Sequence, residues 1–413
     1  MKKYLIISLI FFISSCSQSD VEPQETQTLA GQWRGVLASP GGELPFGIDI
    51  KEENGFYSAK IINGNERVDT SSVVFANNQL TINFDWYDAR INARINEDGQ
   101  KLVGQWSKTA SGKDNISFLP FTATKSYDYR FNQILDTEKL ANKIAGNWEV
   151  IFIDDSGESL AVAEFNQTDN IVTGTFLTPT GDYRYLAGSI NNNKLSLSAF
   201  DGAHAFLFDA DIVENKIING NFWSRDSYHA TWSAIKSRNT ADFLPSSWEM
   251  NKAVTEVAFA FEDTNGHLVQ LTDEEFKDKP VLINLFGTWC PNCNDEAPVL
   301  AKFYDKYNSQ GLEIVGLAFE FTEDVIRDKK QIEIFKKHHK INYPLLLAGN
   351  NDKAEATKVL GFLDAVKSYP TTVFLDRNHQ VVKVHTGFTG PGTGDHYSKL
   401  VEELEKEIIA LLN

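Results

Sequence analysis

Cysteine is rare in this chain of 413 residues, which contains only Cys16, Cys290 and Cys293. A zinc site built on the close pair Cys290 and Cys293 needs two further ligands, usually a second close pair of Cys or His. Only Cys16 remains, so no second close pair of Cys is available. A structural disulfide is a second alternative, but stabilising bridges usually close longer loops than this one. We therefore favour a reactive dithiol, and we expect no metal and no cofactor.

Basic residues and long apolar runs are also scarce. Lys and Arg total 39 against 56 Asp and Glu, which gives a formal net charge of −17. Nucleic-acid binding is not expected, because contacts to phosphates require clustered Lys and Arg. After residue 15 no stretch is long and apolar enough to cross a bilayer. The 42% hydrophobic content is sufficient for packed cores, and the length predicts two to four domains.

The N-terminus has the pattern of a targeting signal. Two lysines precede an apolar stretch at residues 4–13, which is too short to span a bilayer, and two serines then lead to Cys16. This pattern resembles a bacterial lipoprotein signal that is cleaved just before the cysteine. The resemblance implies that Cys16 carries several acyl chains, which together anchor a protein stably to a membrane. An ordinary secretory signal is the alternative.

Both signals take the chain out of the cytoplasm, into a compartment that permits disulfide chemistry. We therefore expect residues 1–15 to be a signal peptide and the protein to lie in the cell envelope, periplasmic and lipid-anchored. Residues 16–28 are mostly Ser, Gln, Glu, Thr and Asp, a composition that cannot build a core. They are predicted to form a flexible tether.

Residues 29–238 contain an internal repeat. Gly31-Gln32-Trp33 recurs as Gly146-Asn147-Trp148, and Asn78-Gln79-Leu80 recurs at the same offset as Asn193-Lys194-Leu195. Alternating apolar and polar residues at 80–84 and 195–198 predict half-buried strands, and Asn-Gly and Asp-Gly turns recur between them. We predict two antiparallel all-β domains, each a small barrel or sandwich, at residues 29–125 and 146–236.

The segments between these domains are predicted to be linkers, at residues 126–145 and 237–250. The Trp and Phe residues of both copies are expected in the cores. No catalytic constellation is present in either copy. His204 and His229 stand alone in strand patterns, so we expect them to lie on the surface or to be satisfied by hydrogen bonds.

The two remaining cysteines lie where a buried strand passes into a helix. Residues 280–285 form an apolar run, and a helical pattern begins near Cys290. Cys290 and Cys293 are three positions apart, so at the start of a helix their sulfurs lie on one face and can meet. The partial positive charge of a helix N-terminus favours the thiolate form of Cys290, the form that attacks a disulfide. The pattern predicts a dithiol that cycles between reduced and oxidised forms.

A longer stretch supports this interpretation: Asn284-Leu285-Phe286-Gly287-Thr288-Trp289-Cys290-Pro291-Asn292-Cys293-Asn294-Asp295-Glu296-Ala297-Pro298. It resembles the thioredoxin superfamily, and within it the TlpA/ResA-like thiol–disulfide oxidoreductases. The resemblance implies an α/β thioredoxin-like domain at residues 251–413, which begins with a hairpin. Pro298 takes the place of the proline that kinks the thioredoxin helix. Glu296 takes the place of the acidic residue that these proteins keep one turn after the second cysteine.

The same resemblance assigns roles to residues far from the cysteines in sequence. Pro370, in Tyr369-Pro370-Thr371, matches the cis proline that faces the Cys-x-x-Cys motif in this superfamily. Trp289, Tyr369 and Pro370 are therefore expected to contact the substrate. Asp295 and the pair His338 and His339 are expected to be solvated.

These patterns predict a membrane-anchored, extracytoplasmic thiol–disulfide oxidoreductase. Cys290 would attack a substrate disulfide, Cys293 would resolve the mixed disulfide, and Glu296 would accept the proton of Cys293. The partners would be protein thiols or disulfides and an upstream thiol protein. The resemblance favours the reducing direction, while the Pro291-Asn292 dipeptide departs from the usual pattern and leaves oxidation open.

Two other functions compete with this one. The β domains could bind a ligand or partner, with the redox domain auxiliary to them. A peroxidase of the peroxiredoxin type is disfavoured because such sites usually carry Thr three positions before the cysteine, where this chain has Gly287.

Overall fold

The computed structural model describes residues 28–110, 116–126, 129–131, 144–249, 252 and 256–413. The predicted signal peptide, Cys16 and nearly all of the predicted tether lie outside the described residues, as does most of the predicted linker at 126–145. The described parts form two all-β domains and one α/β domain.

The first β domain is a closed barrel. Its described strands are β1 (Gly31–Ser39), β2 (Gly42–Glu53), β3 (Phe56–Asn63), β4 (Glu66–Asp69), β5 (Ser72–Ala76), β6 (Gln79–Phe84), β7 (Ala89–Ile95), β8 (Lys101–Thr109) and β9 (Ile116–Lys125). Each strand pairs antiparallel with its neighbour, and β9 returns to β1. Because β2 pairs with β3 as well as with β1, the sheet closes on itself, and β4 extends from β3 as a short hairpin.

The second β domain repeats this topology. Its described strands are β10 (Gly146–Asp154), β11 (Gly157–Thr168), β12 (Ile171–Thr178), β13 (Gly181–Asp182), β14 (Leu186–Asn191), β15 (Lys194–Phe200), β16 (Ala205–Val213), β17 (Lys216–Ser224) and β18 (Tyr228–Ser237). The pair β11 and β12 closes it, and β13 is a two-residue strand attached to β12. Of the two predicted alternatives, barrel and sandwich, both β domains are therefore barrels.

The repeated Gly-x-Trp motif has the same role in both barrels. Trp33 and Trp148 are almost completely buried, and each indole N–H donates to the carbonyl four residues earlier, that of Leu29 or Ile144, at 2.9 and 2.8 Å. These bonds fix the start of each barrel around a large aromatic side chain. The prediction that the Trp residues lie in the cores is confirmed for this pair.

The two barrels are joined by a plug, which consists of Phe200 and the turn that follows it. Phe200, the last residue of β15, enters the first barrel, where its ring centroid lies 4.4 Å from that of Phe46. Trp106 of the first barrel donates its indole N–H to the carbonyl of Gly202 at 2.9 Å. Phe84 packs against the α-carbon face of Gly202, where a Cβ would come within 2.5 Å of its ring. The second barrel therefore fills the mouth of the first.

The C-terminal domain is a mixed sheet covered by helices. Its described strands are β19 (Ala260–Asp263), β20 (Leu268–Gln270), β21 (Val281–Phe286), β22 (Glu313–Glu320), β23 (Leu345–Asn350), β24 (Thr371–Leu375) and β25 (Val381–Thr386). Its described helices are α1 (Pro291–Tyr307), α2 (Val325–His339), α3 (Lys353–Leu360) and α4 (Asp395–Leu412). The strand order is β20-β19-β23-β22-β21-β24-β25.

This sheet places the cysteines at the end of its central strand. The pair β21 and β22 is parallel, and β24 and β25 form an antiparallel hairpin. Every residue of β21 is buried. The chain leaves β21, makes a short turn and enters α1, so that the helix N-terminus lies just beyond the sheet edge.

Candidate active site

The two cysteines lie at the start of α1. Cys290 is the N-cap residue, and Pro291 follows at the first helical position, where its missing N–H costs nothing. The backbone N–H of Cys293 donates to Cys290 Sγ at 3.4 Å. Both thiols are free and buried, and Cys290 is 5% exposed. The helix thus directs an N–H and its positive end at the sulfur of Cys290.

Cys293 and Glu296 lie behind Cys290, in the interior. Burial raises the pKa of the Cys293 thiol well above its usual range, and the neighbouring Cys290 and Glu296 add to the increase. Glu296 is 1% exposed and its pKa is raised to about 7 by burial, although hydrogen bonds from Thr372 and Asn284 oppose the shift. These bonds measure 2.9 Å from Thr372 Oγ1 and 2.6 Å from Asn284 Nδ2. A buried carboxyl that titrates near neutrality can exchange a proton with a nearby thiol.

The loop before β24 faces the cysteines from the other side. The Tyr369–Pro370 peptide bond is cis, as the resemblance predicted. The Cys290 thiol lies 3.5 Å from the Tyr369 carbonyl oxygen, to which it donates. The Trp289 ring packs edge-on against the Tyr369 ring, with centroids 5.8 Å apart, and its indole N–H donates to the Phe319 carbonyl. The structure thus brings together five of the predicted site residues around one sulfur, with Glu296 behind them.

Comparisons with known proteins decide the family. The Redoxin family model matches residues 250–400. The thiol-disulfide oxidoreductase ResA of Bacillus subtilis is 35% identical over 144 residues, which cover 35% of this chain and 72% of ResA. The chain belongs to the ResA-like thiol–disulfide oxidoreductases of the thioredoxin superfamily. ResA of Halalkalibacterium halodurans is 29% identical over 133 residues, which cover 32% of this chain and 66% of that protein.

One solved structure is also similar to this chain. It is a thiol:disulfide interchange protein of the thioredoxin family from Chlorobium tepidum, with 21% sequence identity and a TM-score of 0.27. The match covers 36% of this chain and 97% of that structure.

In this ResA-like protein the first barrel is linked to the turn that precedes Cys290 through two side chains of the redox domain. Glu320, completely buried at the end of β22, accepts hydrogen bonds from the backbone N–H and the hydroxyl of Thr288, both at 2.8 Å. Burial raises the pKa of Glu320 to about 7. Arg327 on α2 lies 3.8 Å from Glu320 and pairs at 2.6 Å with Asp88 of the first barrel. Arg327 therefore connects the first barrel to Glu320, the residue that holds the active-site turn.

The histidines on α2 form a second connection to the first barrel, which corrects the expectation that both are merely solvated. His338 is exposed on one side but stacks on Trp86 of the barrel, with ring centroids 3.8 Å apart. His339 Nε2 lies 2.8 Å from Asn294 Oδ1, and Asn294 in turn donates to the Cys290 carbonyl at 3.0 Å. Burial lowers the pKa of His339 to about 3, so its ring is neutral at neutral pH. The sequence pattern of α2 alone does not predict that the first barrel covers this face of the helix.

Asp295 is also not solvated, which corrects a second expectation. Its carboxylate pairs at 2.5 Å with Arg184 of the second barrel, and both side chains are about nine-tenths buried. Arg184 also pairs with Glu66 of the first barrel at 2.7 Å and lies 2.9 Å from Asp201 of its own barrel. Burial raises the pKa of Asp295 to about 7 despite the opposing charge of Arg184. One guanidinium thus connects three domains directly beside the cysteines.

The loop between β12 and β13 lies on the active-site surface itself. The Thr180 carbonyl accepts hydrogen bonds from Asn292 Nδ2 at 3.4 Å and from the Phe388 N–H at 3.3 Å. Asp182 accepts from the Gly390 N–H at 2.5 Å. Thus the second barrel contacts both the Pro-Asn dipeptide between the cysteines and the chain segment that follows β25.

Arg184, Thr180 and Asp182 belong to this region but were not predicted from the sequence. No local signal identifies them, because their partners in the redox domain are more than one hundred positions away in the chain. The two histidines of the second barrel behave as expected: His204 lies 2.9 Å from Asp201, and His229 is exposed.

Within the described parts of the chain, no helix has both the length and the apolar content to cross a bilayer. Among those residues, no three His, Cys, Asp or Glu side chains are placed to share a metal ion.

Proposed function

We propose that this protein exchanges the dithiol of Cys290 and Cys293 with disulfides of other proteins outside the cytoplasm, in the reducing direction. One observation carries the proposal. The sulfur of Cys290 lies at a helix N-terminus opposite the Tyr369–Pro370 loop, with a second thiol and a carboxyl buried behind it. The ResA relatives, named as thiol-disulfide oxidoreductases, support the same chemistry.

We assign the two cysteines different steps. The Cys290 thiolate attacks one sulfur of a substrate disulfide, so that a new Cys290–substrate bond forms while the substrate disulfide breaks and its other sulfur leaves as a thiolate that takes a proton. Cys293 then passes its proton to Glu296 and attacks Cys290 Sγ. The Cys290–Cys293 disulfide forms, and the second substrate sulfur leaves as a thiolate that takes a proton from water. An upstream thiol protein then returns two electrons to the pair.

The rival function, a ligand-binding module with an auxiliary redox domain, is less well supported. The mouth of the first barrel is filled by Phe200, and the loop after β12 of the second barrel contacts the active site. The barrels are therefore more simply explained as parts of the redox apparatus.

Trapping of substrates tests the assignment of the cysteines. With Cys293→Ser, the mixed disulfide on Cys290 cannot be resolved, so substrates should accumulate as covalent adducts on non-reducing gels. The matched variant Cys290→Ser lacks the more accessible sulfur and should trap few or none. Equal trapping by both variants would refute the assigned roles.

Attachment to a membrane through Cys16 is the second part of the proposal, and it is supported by the N-terminal sequence pattern. Replacing Cys16 by Ala should move the protein from the membrane fraction to the soluble fraction of cells. The purified variant should keep its disulfide-reductase activity, because Cys16 takes no part in the exchange. Retention of the variant in the membrane fraction would contradict lipid attachment at this residue.

A further inference from the structure

The mouth of the second barrel and the active site share one cavity. Its volume is about 490 Å³, and Cys290, Pro291 and Asn292 form one wall of it. Phe152, Leu160 and Phe206 of the barrel form part of the opposite wall. A cavity of this size is within the range that encloses a small ligand or a large side chain with its adjoining backbone.

The two barrels differ at their mouths in a way that singles out this cavity. In the first barrel, the Phe200 ring and the Gly202 turn occupy the mouth. In the second barrel, the interior is closed below the mouth by stacked rings such as Phe176 and Phe208, whose centroids are 4.9 Å apart. The space that stays open therefore lies between these rings and the cysteines.

The charges around the cavity disfavour an anionic occupant. Of its lining residues, His204 is the one that can carry a positive charge, and it already lies 2.9 Å from the Asp201 carboxylate. Arg184, close by, is surrounded by Glu66, Asp201 and Asp295. Asp182 also lines the cavity. A carboxylate-rich thiol compound would find no free cation here, whereas an aromatic or aliphatic group would bury apolar surface against Phe152, Leu160 and Phe206.

The cavity also determines how a disulfide can reach Cys290. This sulfur is 5% exposed, and the Thr180 loop lies across the neighbouring surface formed by Asn292 and Phe388. A substrate cysteine that meets Cys290 from the cavity brings its neighbours along, and an extended chain advances about 3.4 Å per residue. A side chain one or two residues from that cysteine therefore falls within the cavity.

We propose that the mouth of the second barrel is a specificity pocket that accepts an aromatic or large aliphatic side chain next to the cysteine of a substrate protein. This inference rests on the proposed thiol–disulfide exchange and adds to it the class of substrate segment. The polar rim at Ser159, Thr178 and Thr180 offers hydrogen-bonding partners for the backbone of that segment.

Two model peptides test the pocket. Each contains a single intramolecular disulfide, and they differ at one position next to the attacked cysteine, which is Trp in one and Ser in the other. The parent protein should reduce the Trp peptide with a kcat/KM at least about tenfold higher, the low end of what a hydrophobic pocket contributes to discrimination. The quantity compared among variants is the ratio of the two kcat/KM values.

Variants of the pocket should lower that ratio. Ser159→Trp places a large ring in the mouth and should bring the ratio close to one. Leu160→Ser removes part of the apolar wall and should give a ratio between one and that of the parent. Ser159 and Leu160 are exposed at the rim, so neither change disturbs a buried core. Val213→Ser is the matched control, since Val213 is 49% exposed on β16 and does not line the cavity. Its ratio should equal that of the parent.

Reduction of hydroxyethyl disulfide separates the two hypotheses. If the parent reduces this small disulfide but reduces both peptides at equal rates, the pocket is refuted and the exchange function stands. A ratio that survives both Ser159→Trp and Leu160→Ser would place the selectivity elsewhere and also refute the pocket. If the parent reduces neither peptide nor the small disulfide, the exchange function itself fails.

Discussion

At the residue scale, Glu296 is the side chain whose chemistry depends most on burial. Burial raises its pKa from 4.5 to about 7, so at neutral pH the carboxyl and carboxylate forms coexist. The same interior raises the pKa of Cys293, which must nevertheless lose a proton to resolve the mixed disulfide. A group that can accept a proton at neutral pH is therefore needed close to Cys293, and Glu296 meets this requirement.

Glu296→Gln should slow disulfide exchange while the fold stays intact. Gln keeps the shape and can still hydrogen-bond Thr372, but it cannot accept a proton. We expect a loss of up to about 100-fold in the resolution rate at pH 7.5, the low end of general acid–base contributions. In the parent, that rate should rise as pH increases through about 7, and in the variant this rise should be absent.

Glu402→Gln, an exposed position on α4, is the control. Identical pH profiles for parent and Glu296→Gln would exclude a proton-transfer role.

The same shift predicts how stability depends on pH. Because the pKa of Glu296 is higher in the folded than in the unfolded state, its protonated form favours folding below pH 4.5, and that contribution disappears as pH rises to about 7. The free energy of unfolding of the parent should therefore fall over this interval by more than that of Glu296→Gln. Urea unfolding at pH 4.5 and pH 8 measures the difference. An equal fall in both proteins would show that Glu296 is not the group responsible.

At the element scale, the redox core could be predicted from sequence because its signals are local. The buried run at β21, the Cys-Pro-Asn-Cys motif and the start of α1 are contiguous, and each follows from periodicity or capping. The helical pattern predicted to begin near Cys290 is observed as the helix Pro291–Tyr307. The cis bond at Pro370 was implied by the resemblance to the thioredoxin superfamily.

The barrels were less predictable for a physical reason. Alternating strands and Asn-Gly turns occur in sandwiches as well as in barrels, and the difference here is the extra pairing of β2 with β3 and of β11 with β12. The contacts of the β12–β13 loop with the active site involve residues far apart in sequence, such as Thr180 and Asn292. The sequence pattern of the loop itself does not predict such a contact.

Gly387 shows how closely this loop approaches the redox domain. A Cβ on Gly387 would come within 2.4 Å of the Thr180 carbonyl oxygen, and its φ of +87° adds backbone strain of about 1 kcal/mol or more. Gly387→Ala should therefore displace the loop and raise the alkylation rate of Cys290 by iodoacetamide several-fold. Gly311→Ala is the matched control, since its φ is +101° but nothing lies within 4 Å. Gly311→Ala should lose stability without a change in alkylation. Equal alkylation rates in both variants would show that the loop does not shield Cys290.

At the scale of the whole molecule, the three domains converge on Arg184. Its guanidinium contacts carboxylates of both barrels and of the redox domain. Two of these partners, Glu66 and Asp295, lie more than one hundred positions from Arg184 along the chain. Arg184 lies between two tyrosines, in a segment with no motif, so its role follows from the assembled fold alone. The position of the barrels against the cysteines therefore depends on a buried charge cluster as well as on the Phe200 plug.

Arg184→Ala should loosen this assembly. Removing one partner of a buried ion pair usually costs about 3–5 kcal/mol, because the remaining charges stay buried without compensation. Here Glu66, Asp201 and Asp295 would face one another, so we expect a lower free energy of unfolding and a larger radius of gyration in solution scattering.

The pKa of Asp295 is already raised to about 7, and loss of Arg184 raises it further. Protonation at pH 5.5 should therefore relieve the repulsion and reduce the expansion that is seen at pH 8. Arg67→Ala, an exposed arginine of the first barrel, should leave both quantities unchanged. A compact Arg184→Ala protein with parental stability at pH 8 would show that the plug and the apolar contacts alone hold the domains together.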